Sequence, residues 1–388
     1  MASQRLSKLL SFSFVSLCFC FGIGIGLFIR FGQLQQTQAA TTSTDTLPVP
    51  FSIPEFPTSD TITIQAVGDI IPGTNYPTNK LKRDRNQLLP KSVRAYLQRA
   101  DLLFGNFETS LTNHPYSAKD ITRGRVFAFR SPPSYAQLFA DVGFDVMNIA
   151  NNHARDFGLV GLRDTVKHLK AVGIDTLGHK NQILVLELDN VRVAMIGFAP
   201  YEYYNSIHDL ETATALVQEA RRNANIVIVS MHSGAEGTGA LHVKNKTEYF
   251  YGENRGNSIL FARTMIDAGA DLVLGHGPHV PRAMEIYNNK LIAYSLGNFL
   301  GYRTLSTAAQ TGYSMILEVK FNSQGDLVSG KIIPVRLDRQ GIPRIDPSFR
   351  TVGLLRYLID KDFPNKQVKI DKKGGIVVEN SDLVAEKE

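Results

Sequence analysis

TITIQAVGD, residues 61–69, is a short apolar run that ends in a carboxylate. Four later runs end in an acid or a histidine, at Glu108, at His153, at His232 and at the pair His276 and His279. Short apolar runs predict buried strands, and the carboxyl end of such a strand is where open α/β folds bind ligands. Mixed carboxylate and imidazole groups suit first-row divalent ions. The five runs, the first of them closed by Asp69, therefore predict one metal centre.

The segments between these runs have the apolar spacing of helices. They are residues 89–99, 134–142, 159–172, 211–223 and 258–268. Strands that alternate with helices indicate an α/β sheet covered on both faces. After Val280 the pattern changes, since AMEIYNNKLIAYSL predicts a hairpin that turns at Asn288 and Asn289, and a second hairpin is predicted to turn at SQGD. The later part of the sheet is therefore expected to be partly antiparallel.

The N-terminal segment 9–29 carries no charge and, as a helix, would span roughly 31 Å, about one hydrocarbon core. Arg5 and Lys8 precede it, and after Arg30 no Lys or Arg occurs before Lys80. The positive-inside rule then predicts a cytoplasmic N-terminus and an extracytoplasmic remainder. Residues 1–30 are thus predicted to be a cytoplasmic tip and a transmembrane signal anchor, which makes the chain a single-pass protein of the cell membrane. A cleaved signal peptide is the alternative.

Composition sets the remaining boundaries. Residues 31–59, rich in Gln, Thr, Ser and Pro, predict an extended linker. The globular domain is predicted at 60–345, and 346–388, with weak periodicity, is expected to be a C-terminal tail. The chain has 388 residues, of which 43% are hydrophobic, so it can bury a full core. Its two cysteines, Cys18 and Cys20, lie in the N-terminal apolar segment, which excludes a disulfide or a thiolate metal site from the folded part.

Each candidate ligand has a plainer explanation. Asp69 lies between Gly68 and Gly73, and an Asp after a strand is often only a turn cap. In NIANNHARDFG a capping network explains Asp156 at a helix start but leaves His153 without a role. A lone histidine after a strand, such as His232, is more often a structural residue.

GHGPHV is the most specific piece, because two histidines three residues apart at one loop can chelate one ion or hold two adjacent ions. Five other histidines lie in helical or loop contexts and are expected to be structural or at the surface. They are His114, His168, His179, His208 and His242.

Six motifs in order, VGDIIPG, GNFE, ANNHARDFG, HSGAE, GHGPHV and YSLGNF, resemble those of the CapA-like family of poly-γ-glutamate capsule biosynthesis proteins. That family belongs to the calcineurin-like metallophosphoesterase superfamily, and the resemblance covers about residues 62–299. It implies an α/β fold, a four-layer αββα sandwich of two mixed sheets with helices outside. It also implies a divalent metal site at the strand ends.

Carried over motif by motif, the resemblance implies that Asp69 and Glu108 are metal-binding acids. Asn152 is implied as a ligand and His153 as the catalytic acid. The later histidine positions of the metal site are filled by His232, His276 and His279. The polar neighbours of these residues are predicted to bind substrate: Asn106, Asn151, Arg155, Asp156 and Glu236.

Two features depart from general metallophosphoesterases. Ile71 stands in place of the histidine of their Asp-x-His pair, and two residues rather than one separate His276 from His279. Both features belong to the CapA-like pattern itself, so they support membership of that family. They leave the number of metal ions, one or two, open.

The sequence thus predicts a membrane-anchored, extracytoplasmic metallohydrolase of capsule, poly-γ-glutamate or envelope polymer synthesis, which uses metal-activated water on a phosphate ester or an acidic polymer. One or two divalent ions, Mn, Fe or Zn, are the predicted cofactors. The alternative is a noncatalytic factor that binds and exports an anionic polymer. The cytoplasmic membrane, the polymer or ester substrate and other capsule-synthesis membrane proteins are the candidate partners, with no nucleic acid among them. The basic segments 80–87 and 122–130 are interpreted as solvated loops, and steering of a polyanion to the site, with Arg155, is the alternative.

Overall fold

Strands form at each apolar run that leads to an acid or a histidine in the computed structural model, which describes residues 61–124, 126–364 and 368–378. The strands are β1 (Thr61–Ile71), β2 (Leu102–Phe107), β3 (Ser110–Leu111), β4 (Arg130–Ser131), β5 (Val146–Asn148), β6 (Asp175–Leu177), β7 (Leu184–Leu188), β8 (Val191–Ala199), β9 (Asn205–Ser206), β10 (Ile226–His232), β11 (Tyr249–Phe250), β12 (Glu253–Asn254), β13 (Leu272–His276), β14 (Met284–Tyr287), β15 (Lys290–Ala293), β16 (Asn298–Gly301), β17 (Tyr313–Asn322), β18 (Leu327–Leu337), β19 (Pro343–Ile345), β20 (Val368–Ile370) and β21 (Gly375–Val378). The α-helices are α1 (Lys91–Leu97), α2 (Ala136–Ala140), α3 (Gly158–Lys170), α4 (Leu210–Asn223), α5 (Ser258–Asp267) and α6 (Arg350–Asp362). All of these elements lie in one compact unit of the chain, Phe56–Glu388.

Two mixed sheets carry the fold. The larger has the order β20-β21-β18-β17-β1-β2-β5-β6, with β16 beside β1 and β19 beside β18. The smaller has the order β14-β15-β13-β10-β8-β7, with β9 beside β8. In both sheets the central pairs, β1 with β2 and β10 with β13, are parallel, whereas β17–β18 and β14–β15 are antiparallel. The prediction of an α/β fold with mixed sheets is confirmed.

The two sheets face each other across a shared core. On β1, Ile62 and Ile64 point into this core together with Ile228 of β10, whereas Val67 joins a second core with residues of α1 and α2 such as Val93. Every residue of β10 is buried, as expected of a strand covered on both faces, and α4 packs against β8 and β10. Helices therefore cover the outer faces of two stacked sheets.

Both predicted hairpins are present. Asn288 and Asn289, between β14 and β15, have φ angles of 48° and 61°. Two successive left-handed residues match the right-handed twist of a two-residue hairpin, and asparagine tolerates that conformation. The second hairpin, β17–β18, turns through residues 323–326 as predicted.

The predicted C-terminal tail is instead part of the domain. Leu355 and Leu358 of α6 are buried in the core that the two sheets share, and Phe363 stacks on Tyr294 at 5.6 Å. Strands β20 and β21 then extend the larger sheet beyond β18. The apolar face of α6 is short and its neighbouring strands have three or four residues, so their periodicity is weak in the sequence.

The predicted single-pass membrane localisation needs correction. Within residues 61–124, 126–364 and 368–378, no helix has the length and apolar character required to cross a bilayer. The predicted signal anchor at 1–30 and the linker at 31–59 lie outside the described residues.

Candidate metal centre

The register of the strands brings the polar strand ends together. Asp69 pairs with Asn106 on one side and with Asn298 on the other. In the smaller sheet His232 stands directly beside His276 on parallel strands. Parallel strands present their carboxyl ends at one edge, so residues that are far apart in sequence meet there.

Asp69, Glu108 and His279 form the centre of the site, and one ligand atom from each lies within 4.8 Å of the others. His279 Nδ1 is 3.0 Å from Asp69 Oδ2, and its Nε2 is 3.9 Å from Glu108 Oε1. Glu108 Oε1 is also 4.0 Å from His232 Nε2. The two sheets thus contribute carboxylates and imidazoles to the same small volume.

A backbone carbonyl and a glycine hold the histidines in place. His276 Nε2 lies 3.2 Å from the carbonyl oxygen of Val67, to which it donates its proton, so Nδ1 is left with the free lone pair. Gly277 has a φ of 104°, and a Cβ at that position would lie 3.0 Å from His232 Nε2. Only glycine fits there, because the backbone is left-handed and passes directly against the imidazole.

Unpaired buried atoms show that this donor set fits a divalent cation. Both carboxylate oxygens of Glu108, both ring nitrogens of His232, Nδ1 of His276 and the amide oxygen of Asn152 are buried and have no hydrogen-bond partner among the described residues. Buried polar atoms are normally satisfied, and a cation bound beside Glu108 Oε1 and His232 Nε2, which lie 4.0 Å apart, would satisfy atoms of this set. Oxygen and imidazole donors without thiolates suit Mn, Fe or Zn.

The charges of the site are arranged for the same purpose. Burial lowers the pKa of His232 and of His276, so both rings are neutral at pH 7, the form that binds a cation. Burial raises the pKa of Glu108 well above its usual value. Burial disfavours a charged Asp69 and a charged His279, but their mutual attraction is stronger. The attraction between Asp69 and His279 holds the pKa of Asp69 at about 2. The same attraction, together with that of Glu108, raises the pKa of His279 to about 10. Cation binding would displace the proton of His279.

His153 lies beside this cluster and belongs to a separate hydrogen-bonded group. Its Nδ1 is 2.8 Å from Asp156 Oδ2, which also accepts the backbone N–H of Phe129 at 2.7 Å. Lys119 Nζ lies 2.6 Å from the other oxygen of Asp156 and donates to the carbonyl of Asn152. With Nδ1 bonded to the carboxylate, Nε2 is the nitrogen of His153 left for a proton transfer.

Three of the residues that were predicted to bind substrate lie in the interior of the protein. Asn106, Asn151 and Asp156 are fully buried. Asn106 donates to Asp69 Oδ1 at 2.8 Å, and Asn151 donates to Asn106 and accepts the backbone N–H of His153. These side chains are bonded within the protein, in positions that orient Asp69 and His153. Their role in substrate binding stays a prediction.

The other predicted residues lie at or near an open cleft. Asn152, His153 and Glu236 line a cavity of about 730 Å³. Glu236 Oε2 is 3.7 Å from His279 Nε2, which places the metal cluster at the edge of this cavity. Arg155 instead lies over the ring of Tyr203 at 3.8 Å and supports that side chain.

Sequence reasoning missed Asn298, Lys119 and Arg255. Asn298 pairs in register with Asp69, and its amide oxygen is 2.9 Å from His279 Nδ1; its place in the YSLGNF motif was the signal that the sequence offered. Lys119 and Arg255 come from irregular loops, where no apolar period marks them. Arg255 is nevertheless buried and pairs with Glu236 at 3.1 Å.

Comparisons with known proteins identify the family of this chain. Residues 63–303 match the family model described as bacterial capsule synthesis protein PGA_cap. The chain is 28% identical over 261 residues to the PGA biosynthesis protein CapA of Bacillus subtilis, which covers 62% of this chain and 63% of that protein. It is 27% identical over 266 residues to the capsule biosynthesis protein CapA of Bacillus anthracis, covering 62% and 60%. The match thus spans less than two thirds of the length of either relative.

Among solved structures, the 5'-nucleotidase precursor of Thermus thermophilus aligns with a TM-score of 0.42 and 14% identity over 80% of this chain and 61% of that one. The family match extends from β1 to just beyond β16 and includes every candidate ligand from Asp69 to His279. The chain therefore belongs to the bacterial capsule synthesis protein family PGA_cap, within the metallophosphoesterase-like superfamily.

Proposed function

We propose that this protein is a metal-dependent hydrolase of phosphate esters that serves the synthesis of a capsule polymer. The main support is the convergence of Asp69, Glu108 and His279 within 4.8 Å, beside the unpaired nitrogens of His232 and His276. The names of the relatives, which concern capsule and PGA biosynthesis, support a role in polymer synthesis.

One or two divalent ions would be held by the two acids, the amide oxygen of Asn152 and the three histidines. A bound ion would supply Lewis-acid polarisation of a phosphoryl oxygen and a water nucleophile at neutral pH. The chemistry needs no Ser or Cys nucleophile from the chain.

The chain itself supplies the proton. His153 would donate from Nε2 to the leaving oxygen, and Asp156 holds the ring by accepting from Nδ1 at 2.8 Å. Burial lowers the pKa of His153 and Asp156 opposes that effect. An anionic phosphate group arriving beside the ring would favour its protonated form further. Lys119 fixes the carboxylate of Asp156 and the backbone of Asn152 from the other side.

A noncatalytic factor that binds an anionic polymer is the second candidate, and the description of the relatives as biosynthesis proteins is compatible with it. The hydrogen-bonded His153 and Asp156 favour hydrolysis, since a binding protein has no use for an oriented proton donor beside its metal ligands. An amide-linked acidic polymer is the alternative substrate of the hydrolase.

The test is metal analysis of the full chain, followed by hydrolysis assays with phosphate mono- and diesters and with poly-γ-glutamate. We expect a stoichiometric divalent ion and hydrolysis of at least one ester that chelation abolishes. Glu108→Gln should lose both. Glu187→Gln, which removes an exposed acid on β7 that does not line the cleft, is the control and should keep both. Metal binding with no hydrolysis of any substrate would support the binding factor instead.

A further inference from the structure

Five aromatic side chains line the cleft beside His153. They come from three separate segments of the chain: Phe127, Tyr201 with Tyr203, and Phe250 with Tyr251. Phe127 is 61% exposed and Tyr251 is 66% exposed. Large exposed aromatic surface is costly in water, and several such rings lining one cavity mark a binding site rather than chance exposure.

The cations that line this cleft in the described part of the chain are already neutralised. Lys119 Nζ lies 2.6 Å from Asp156 Oδ1. Arg255 pairs with Glu236 at 3.1 Å and with Glu253 at 2.9 Å. A polyanion is normally bound by unpaired Lys and Arg side chains, because it must exchange its counterions for protein charges. The cleft therefore offers aromatic faces and hydrogen-bonding groups rather than positive charge.

Three of the five aromatic side chains, Tyr201, Tyr203 and Phe250, are held by contacts with their neighbours. Tyr201 and Tyr203 are stacked at 5.5 Å with an angle of 10° between their planes. Arg155 covers Tyr203 at 3.8 Å, and the hydroxyl of Tyr201 donates to Glu253 Oε2 at 3.2 Å. Arg255 lies 5.5 Å from the centre of the Phe250 ring. A prearranged set of rings binds a flat partner with little loss of side-chain entropy.

We propose that this aromatic cleft binds an uncharged ring in the alcohol part of the phosphate ester, with the phosphate at the metal cluster and the ring against Phe127 and Tyr251. This inference rests on the proposed phosphoesterase function and adds the substrate class to it. A ring can be a planar aromatic group or a sugar, since both present a face that packs on an aromatic side chain. Hydrolysis breaks the bond between phosphorus and the leaving oxygen, and the oxygen of water forms the new P–O bond. His153 supplies the proton of the released ring-bearing alcohol, and the proton that the water loses restores His153.

Binding of stable phosphonates to the metal-loaded full chain tests the proposal without turnover. Phenylphosphonate and methylphosphonate present the same anion to the metal and differ only in the ring. We expect calorimetry to show about ten-fold tighter binding of phenylphosphonate, the order typical of one ring stacked on aromatic side chains. Hydrolysis of phenyl phosphate, glucose 1-phosphate and glycerol 3-phosphate then separates an aromatic ring from a sugar ring and both from an acyclic alcohol.

Phe127→Ala and Tyr251→Ala should each reduce the preference for phenylphosphonate toward unity and leave methylphosphonate unchanged. Both side chains are exposed, so their removal should leave folding intact. Tyr116→Ala is the matched control, because this ring is 76% exposed on the neighbouring loop but is not part of the cleft lining.

Three results are distinguishable. A selective loss in the two cleft variants supports the ring-binding cleft. Equal affinity of the wild-type protein for both phosphonates would overturn this inference and leave the phosphoesterase function standing. Binding of neither phosphonate to metal-loaded protein would contradict the proposed function, and the inference with it.

Discussion

At the residue scale, the proposed function divides the work of the site between metal ligands and a proton donor. Glu108 has two buried oxygens with no hydrogen-bond partner among the described residues, whereas His153 is bonded to Asp156 through Nδ1. The proposal assigns the first arrangement to a bound cation and the second to proton transfer. Substitution of the two residues should therefore have different consequences.

Glu108→Gln should bind metal much more weakly, because it removes a charge and keeps the shape. His153→Ala should keep its metal and lose hydrolysis by about 10²–10⁴-fold, the usual contribution of a general acid. Metal content and kcat of the two purified variants provide the measurement. Equal loss of metal in both would make His153 a ligand.

Asp156→Asn should alter the pH profile rather than the metal content. The negative charge of Asp156 raises the pKa of His153, so its removal lowers that pKa and the protonated, donating form is lost at a lower pH. The alkaline limb of the kcat profile should then move to lower pH. Asp141→Asn, at an exposed carboxylate at the end of α2, is the control and should leave the profile in place. An unchanged limb in Asp156→Asn would remove Asp156 from the proton-donating group.

At the element scale, the strand ends decide where the ligands lie, and the tight turn after β13 decides how closely they approach. Gly277 is left-handed and passes next to His232. Gly143, at the turn after α2, has a similar φ of 98° but has nothing within 4 Å of the position of a Cβ. Substitution of these two glycines therefore distinguishes the effect of backbone strain from the effect of a clash at the site.

Gly277→Ala and Gly143→Ala should each lower the free energy of unfolding by about 1–2 kcal/mol through left-handed strain. Only Gly277→Ala should also lose metal affinity, because its new methyl group would lie 3.0 Å from His232 Nε2. Chemical denaturation and metal titration of the two variants measure both effects. Comparable metal affinity in the two would show that His232 is not held against the turn as the structure indicates.

The elements also show how much of the fold and of the candidate site could be predicted from the sequence. The strands that carry Asp69, His232 and His276 at or near their carboxyl ends were predictable, because a short buried strand and a polar group near its end are both local signals. Loop residues such as Lys119 and Arg255 were not, because only the folded chain brings them to the cleft. The C-terminal helix α6 was also missed, because its apolar periodicity is weak in the sequence. Its apolar side chains are recognised as core residues only once the folded chain packs them against the two sheets.

At the scale of the whole molecule, the carboxyl ends of strands from both sheets meet at one cluster of acids and histidines. The larger sheet brings Asp69 and Glu108, and the smaller brings His232 and His276. A cation bound between them would link the sheets and stabilise the folded state over the unfolded one. Saturation at about one hundred times the dissociation constant would add about 2.7 kcal/mol to the free energy of unfolding.

This metal-dependent stabilisation should grow as pH rises. The folded pKa of Glu108 lies above its unfolded value, so between the two values the folded protein without metal holds a proton that the unfolded chain has lost. The contribution of Glu108 to the stability of the metal-free protein is therefore present at low pH and decreases as pH rises. His279, with a pKa of about 10, must also release its proton to bind metal. The increase in Tm on adding metal should be larger at about pH 7.5 than at about pH 5.5. A pH-independent increase would mean that metal binds elsewhere.

The most direct test of the central claim is the position of the metal in crystals of the loaded full chain, located by its anomalous scattering. The account predicts a peak enclosed by Asp69, Glu108 and His279, with oxygen and nitrogen ligands at about 2.0–2.2 Å. A second peak bridged by a carboxylate would mean that two ions bind. Strong anomalous density only at surface histidines, with His232 and His276 uncoordinated, would contradict the assignment of this cluster as a metal centre.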